Sequence, residues 1–156
     1  MERIRLLQQH PLFRQLYDAL QKAEESRPFC RHNMEHFLAV ARLMRIYNLE
    51  EGAGISKELL YGAALLHDLG RAEKGTSHEI AGAEIAGNIL PDCGFGPEEI
   101  EEIREAILGH RTGALSKNLL GTYLYRADKA SRSCFCCPAR GECNWPREKM
   151  NLWIQD

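Results

Sequence analysis

Apolar side chains recur along most of this chain at steps of three and four, the spacing that gathers them on one face of an α-helix. An amphipathic stretch from Ile4 to Glu25 carries a break at Pro11, and Arg27-Pro28 interrupts the pattern. A second helix is predicted from about Cys30 to Tyr47, with His36, Val40, Leu43, Met44 and Tyr47 along one stripe. After the loop Glu51-Gly52-Ala53-Gly54, Ser56 is placed to cap a third helix that ends in His67-Asp68. Gly70 is placed to take the left-handed conformation that stops helices. Thr76 or Ser77 caps a fourth helix, striped by His78, Ala81, Gly82, Ile85 and Ile89, which Pro91-Asp92-Cys93-Gly94 stops after Leu90. Pro97, Glu98 and Glu99 open a fifth, aligning Ile100, Ile103, Ile107 and His110 and closing at Thr112-Gly113. A sixth, about Lys117 to Arg132, aligns Leu120, Leu124 and Asp128, with Tyr123 and Ala127 alongside, and Trp145-Pro146 opens a last short helix. No segment shows the sustained alternation of a half-buried strand, so the fold class is all-α.

The informative residues are the ionisable ones on these apolar stripes. In the third helix Leu60, Ala63, Ala64 and His67 share a face. With His36, His78, His110, Asp68 and Asp128, this directs four histidines and two aspartates inward from five helices. A single buried histidine is usually a hydrogen-bonded core residue. An ionised carboxylate in a core, by contrast, is unfavourable unless it is paired or bound to metal. Arg126 and Lys129 adjoin Asp128 but fall on other helical faces, so neither reads as its partner. Asp68, in the last turn of its helix, meets carbonyl dipoles that disfavour an anion by roughly 0.3–1 kcal/mol, a penalty that a nearby cation reverses. Imidazole and carboxylate ligands in this number suit one or two octahedral first-row cations.

Composition narrows the class. At 156 residues the chain reads as one domain, 1–156, with a core sufficient to fold. Hydrophobic residues at 44% and charged residues at 27% are ordinary for a globular protein. A net charge of −2 without a Lys/Arg run leaves no footprint for duplex nucleic acid. No apolar run is long enough to span a bilayer, and the first residues lack the apolar segment of a signal peptide, so a cytoplasmic location is the expectation. Four of the six cysteines fall between residues 134 and 143. Cys134, Cys137 and Cys143 form Cys-x2-Cys-x5-Cys with Cys136 spare, which in a reducing compartment favours a structural zinc or an iron–sulfur cluster over disulfides. Cys30 precedes His36 by six residues and Cys134 follows Asp128 by six. If the two helices are antiparallel and meet at one metal, both thiols lie roughly 9 Å beyond it in one direction. Cys30 is therefore the preferred fourth ligand, ahead of Cys136 and Cys93, of a metal-binding segment spanning 133–146.

His36-Phe37-Leu38-Ala39-Val40-Ala41, Leu65-Leu66-His67-Asp68-Leu69-Gly70 and Ala127-Asp128-Lys129 together resemble the H…HD…D signature of the HD-domain metal-dependent phosphohydrolases. The resemblance covers about residues 29–132 and implies a bundle of six to eight helices. His78-Glu79-Ile80-Ala81-Gly82-Ala83 and Ala106-Ile107-Leu108-Gly109-His110-Arg111-Thr112-Gly113 are similar to the extra-histidine blocks of the dinuclear branch, which includes bacterial hydrolases that split dinucleoside tetraphosphates symmetrically. The resemblance implies that His36, His67, Asp68 and Asp128 hold one metal, and that His78 and His110 hold a second with Asp68 bridging. It further implies hydrolysis of a nucleotide or another small phosphate ester by metal-activated water. Arg71, Arg111 and Lys129 would neutralise phosphate oxygens, the arginines bidentately. The ions could be Fe, Mn, Co, Ni, Zn or Mg. Two departures stand out. Arg71 replaces the lysine common after HD-x-G, and His32, one helical turn before His36, competes with it as ligand. The rival readings are an HD-fold di-iron oxygenase and a non-catalytic metal- or redox-sensing module. Cysteine tails of this kind also occur on other HD proteins without an assigned role, and self-association is left open.

Overall fold

The segment 59–66 is apolar on every side, and a helix without a polar face must sit where no face meets water. In the computed structural model, which describes residues 1–73, 75–111 and 118–155, that segment lies in the central element. Among the described residues there are seven α-helices and no strand: α1 Glu2–Gln9, α2 Pro11–Ala23, α3 Met34–Glu50, α4 Lys57–Leu66, α5 His78–Ile89, α6 Pro97–Gly109 and α7 Leu119–Ala130. Short 3-10 turns follow α4 (Leu69–Ala72), α5 (Pro91–Cys93) and α7 (Cys134–Cys136, Arg140–Glu142 and Arg147–Lys149). The α4 helix packs against α1, α3, α5, α6 and α7. Its Leu60, Ala63, Ala64 and Leu66 are completely buried with Phe37, Met44, Ile107, Tyr123 and Leu124 from the surrounding helices. Gly62 lets Ile103 and Phe95 press against the α4 backbone, since a Cβ there would sit 3.3 Å from Ile103 Cδ1. None of the described helices is long and apolar enough to cross a membrane.

The helix starts follow local capping chemistry. Pro11 divides the first amphipathic stretch, and His10 Nδ1 accepts from the Leu12 amide at the start of α2. The α3 helix begins at Met34 rather than near Cys30, because Asn33 caps it by accepting from the His36 amide at 3.0 Å. Ser56 Oγ accepts from the Leu59 amide at the start of α4. Asn118 caps α7 through the Gly121 amide, one residue after the predicted start at Lys117. Ser77 occupies the cap position of α5 without a side-chain bond. Lys117 and the Thr112-Gly113 stop lie outside the described residues.

Gly70 departs from the expectation of a left-handed stop. The positive-φ glycines among the described residues are Gly52, Gly54, Gly75 and Gly94, whereas Gly70 lies in the 3-10 turn after α4. Its small size serves a different purpose. A Cβ at Gly70 would lie 2.0 Å from His78 O and 2.6 Å from the Gly82 nitrogen, so the turn and α5 touch backbone to backbone. That contact brings the first residue of α5 against the end of α4. Asp68 likewise sits just beyond α4, at the junction with the 3-10 turn, rather than within the last helical turn.

Candidate metal centre

Five helix ends converge on one buried point. His36 comes from the first turn of α3, His67 caps the end of α4, and Asp68 follows it. His78 opens α5, His110 ends α6 and Asp128 lies in the last turn of α7. His67, Asp68 and His110 are at most 1% exposed. Two sets of ligand atoms gather within 4.8 Å of one another: His36, His67, Asp68 and Asp128 in one, and Asp68, His78 and His110 in the other.

Asp68 belongs to both sets through different oxygens. Its Oδ2 lies 3.1 Å from His67 Nε2 and 3.6 Å from His36 Nε2. Its Oδ1 lies 3.5 Å from His78 Nε2 and 3.7 Å from His110 Nε2. Asp128 Oδ1 completes the first set, 3.4 Å from His36 Nε2. One carboxylate facing two donor groups is the arrangement by which a carboxylate bridges two cations.

The ring orientations suit metal ligation. His67 Nδ1 donates to Ala64 O at 2.8 Å and His110 Nδ1 donates to Ile107 O, which leaves both Nε2 atoms directed inward. His36 Nδ1 pairs with Ser131 Oγ at 3.1 Å, and His78 Nδ1 lies 3.4 Å from Glu79 Oε2. His67 Nε2 is buried without a hydrogen-bond partner although two carboxylates face it. An orphaned ring nitrogen beside two anions fits a cation, and the donor set fits a divalent one. The electrostatics agree. Burial opposes charge on His67, but Asp68 and Asp128 outweigh it and raise its pKa to about 9. Burial lowers His36 to about 4, and burial with the Arg71 charge does the same for His78, so both are neutral imidazoles at pH 7. Burial pushes both carboxyl groups upward, yet the surrounding histidines and, for Asp128, Lys129 and Arg132 hold them well below the usual range.

Basic side chains surround the site. Arg71 Nε donates to Asp68 Oδ1 at 2.6 Å, and its Nη2 lies 3.2 Å from His78 Nε2. Lys129 Nζ donates to Asp128 Oδ2 at 2.6 Å, contrary to the helical-face expectation, because its flexible stem folds back at the helix end. Arg132 Nη2 reaches both Asp128 Oδ1 and His36 Nε2. Arg111 instead pairs with Glu79 at 3.3 Å. Arg71, Arg111, Lys129 and Arg132 line a cavity of about 340 Å³ that opens on His78, His110 and Asp128. A larger cleft of about 730 Å³ shares Arg111, Lys129 and Trp145 with it and adds Tyr125, Arg126 and Lys149.

Three contributors escaped the sequence pattern. Arg132 stands four residues after Asp128, a helical pairing that was readable. Ser131 turns back on His36 from the end of α7. Glu24 accepts from His32 Nδ1 at 2.6 Å and from the His32 amide at 2.7 Å, across an irregular connection with no periodic signal. That contact aims His32 Nε2 at Asp68 Oδ2, 3.5 Å away, so His32 faces the site beside His36 but outside the four-residue set. Beyond the histidines, Cys30, Cys134, Cys137 and Cys143 line a separate small cavity. Cys30 and Cys134 lie off the ends of α3 and α7, so the helical-rise estimate that paired them does not describe the path between them.

The chain has relatives among known proteins. Residues 33–133 match the family described as HD domain. An uncharacterized protein of Clostridium beijerinckii is 48% identical over 136 residues, spanning 85% of each chain. "Putative phosphohydrolase YueE" of Bacillus subtilis is 35% identical over 109 residues, which span 58% of this chain and 62% of that protein. The crystal structure of a predicted HD superfamily hydrolase from an uncultured Thermotogales bacterium has the same fold, with a TM-score of 0.66 at 23% identity over 88% of this chain and 78% of that one. Its helical fold, its His-Asp junction after α4 and the match over 33–133 make this chain a member of the HD domain family.

Proposed function

We propose that the protein is a metal-dependent phosphohydrolase acting on a nucleotide or another small phosphate ester, with Asp68 shared between two divalent ions. The observation that carries the reading is the ring of cations around a polar donor set: Arg71, Arg111, Lys129 and Arg132 line one cavity with His78, His110 and Asp128. Bound there, divalent ions would polarise a phosphoryl oxygen and lower the pKa of water to the neutral range. His36, His67, Asp68 and Asp128 would hold one ion, and His78, His110 and Asp68 the other. Arg71 and Lys129 are paired with the two carboxylates. Released from that pairing, both side chains would turn toward phosphate oxygens, Arg71 as a planar fork and Lys129 as a point charge. Arg132, only 9% exposed, would remain at Asp128 and His36 and orient them.

The cavity over the donor set, at about 340 Å³, is at the small end of ligand sites and suits a phosphate-sized group. The adjoining cleft supports a nucleotide, because Tyr125 and Trp145 offer faces for a base while Arg126 and Lys149 add positive charge. The test is a phosphoester panel that includes dinucleoside polyphosphates, run with protein stripped by chelator and reloaded with Mn, Co, Fe, Ni, Zn or Mg. Metal-dependent hydrolysis of a panel member, read as free phosphate or as nucleotide products by chromatography and lost in Asp68→Ala, is the expected result. Turnover that consumes oxygen in step with product would replace this reading with an oxygenase. No hydrolysis of any panel member with any metal would defeat it.

A further inference from the structure

Cys30 is separated from Cys134 by most of the chain, yet Cys30, Cys134, Cys137 and Cys143 line one small cavity with Phe29 and Met150. The local backbone accounts for the last three cysteines. The Cys137 amide donates to Cys134 O in one turn, and the Cys143 amide donates to Arg140 O in the next. Two successive turns thus curl the segment around the cavity. Of the other two cysteines, Cys93 is buried in the hydrophobic core and Cys136 is exposed. All six thiols are free.

The spread of the sulfurs separates the candidate groups. A tetrahedral zinc with Zn–S near 2.3 Å holds its sulfurs about 3.8 Å apart. Among the described residues, histidine and aspartate ligand atoms gather within 4.8 Å of one another, and no three cysteine sulfurs do. A four-iron cubane takes one thiolate on each iron at the corners of a larger tetrahedron, which suits the wider spread. Such a cluster with four thiolates carries net negative charge. Arg140 lines the same cavity, and Arg132 donates to Arg31 O beside Cys30, so cations stand close to it.

We propose that Cys30, Cys134, Cys137 and Cys143 ligate a [4Fe–4S] cluster that fastens the segment after α7 to the connection between α2 and α3. Cys30, Cys134 and Cys143 also line the cavity over the histidines, as do Asn144 and Trp145. The cluster therefore holds one wall of that cavity in place. The assignment does not depend on which reaction the His/Asp centre performs.

The test is iron and acid-labile sulfide analysis of the full chain purified without oxygen. About four sulfides per chain are expected, with the broad visible absorption of sulfide-to-iron charge transfer. Sulfide reports on the cysteine site alone, because the His/Asp centre has no need of it, and Asp68→Ala should retain it. Cys30→Ser should lose the sulfide and the visible band, while Cys136→Ser keeps both. Zinc without sulfide in the wild-type protein would overturn the proposal, as would full sulfide in Cys30→Ser. Should Cys30→Ser fail to fold, the wild-type sulfide content still decides.

Discussion

Gly70→Ala tests the backbone contact that brings α5 to the end of α4. The new Cβ would start 2.0 Å from His78 O and 2.6 Å from the Gly82 nitrogen, both backbone atoms that no rotamer change can move. Contacts of this kind need about 3 Å or more, so α5 must retreat by roughly 1 Å. Overpacking in a core typically costs about 1–3 kcal/mol, and a backbone-on-backbone clash belongs at the upper end. For a domain of this size that corresponds to a fall in Tm of about 6–12 °C. His78 Nε2 lies 3.5 Å from Asp68 Oδ1 and 3.2 Å from His110 Nε2, so the same retreat opens the second donor set and leaves the first in place. Thermal melts with metal-to-protein ratios after equilibrium dialysis would show both effects. Gly82→Ala is the control, since its Cβ would meet Ile107 Cγ2 at a milder 3.1 Å. An unchanged Tm and unchanged metal ratio in Gly70→Ala would refute the close-approach explanation.

The His67 pKa is raised to about 9, so the stability it lends the metal-free protein is complete below its ordinary value of 6.5 and is lost as pH rises through 9. Metal binding near pH 7.5 should then release about one proton, measured as a buffer-dependent heat in calorimetry, and equal heats in buffers of different ionisation enthalpy would contradict it. His36 has the opposite sign: its pKa is lowered to about 4, so its contribution, about 3 kcal/mol, is complete above 6.5 and lost as pH falls through 4. Denaturant titrations of the metal-free protein between pH 7 and 4 would follow that loss, and a flat profile would count against it. His36→Ala should lower metal content more than His32→Ala, because His32 lies outside the four-residue set, and metal analysis showing the reverse would exchange their roles. Ser131→Ala should weaken metal binding about 10–100-fold at nearly unchanged Tm, because Ser131 Oγ holds the His36 ring, and unaltered affinity would dismiss that orienting role.

Helices and the faces they bury were legible in the residues alone. A stripe such as Leu120, Leu124 and Asp128 reports which side of a helix faces inward, and capping residues such as Ser56 report where one begins. Those two signals sufficed for the all-α class and for the inward direction of His36, His67, His78, His110 and Asp128. Periodicity says nothing about which faces meet. Three-dimensional packing divided the two Asp68 oxygens between two donor sets, turned Ser131 and Arg132 onto His36, and brought Cys30 to Cys134. The Glu24–His32 contact crosses irregular chain, where no repeat marks a facing side. Gly70 shows the same limit: its sequence position after a helix suggested a left-handed stop, while its neighbour in space, the backbone of α5, is what requires a residue without a side chain.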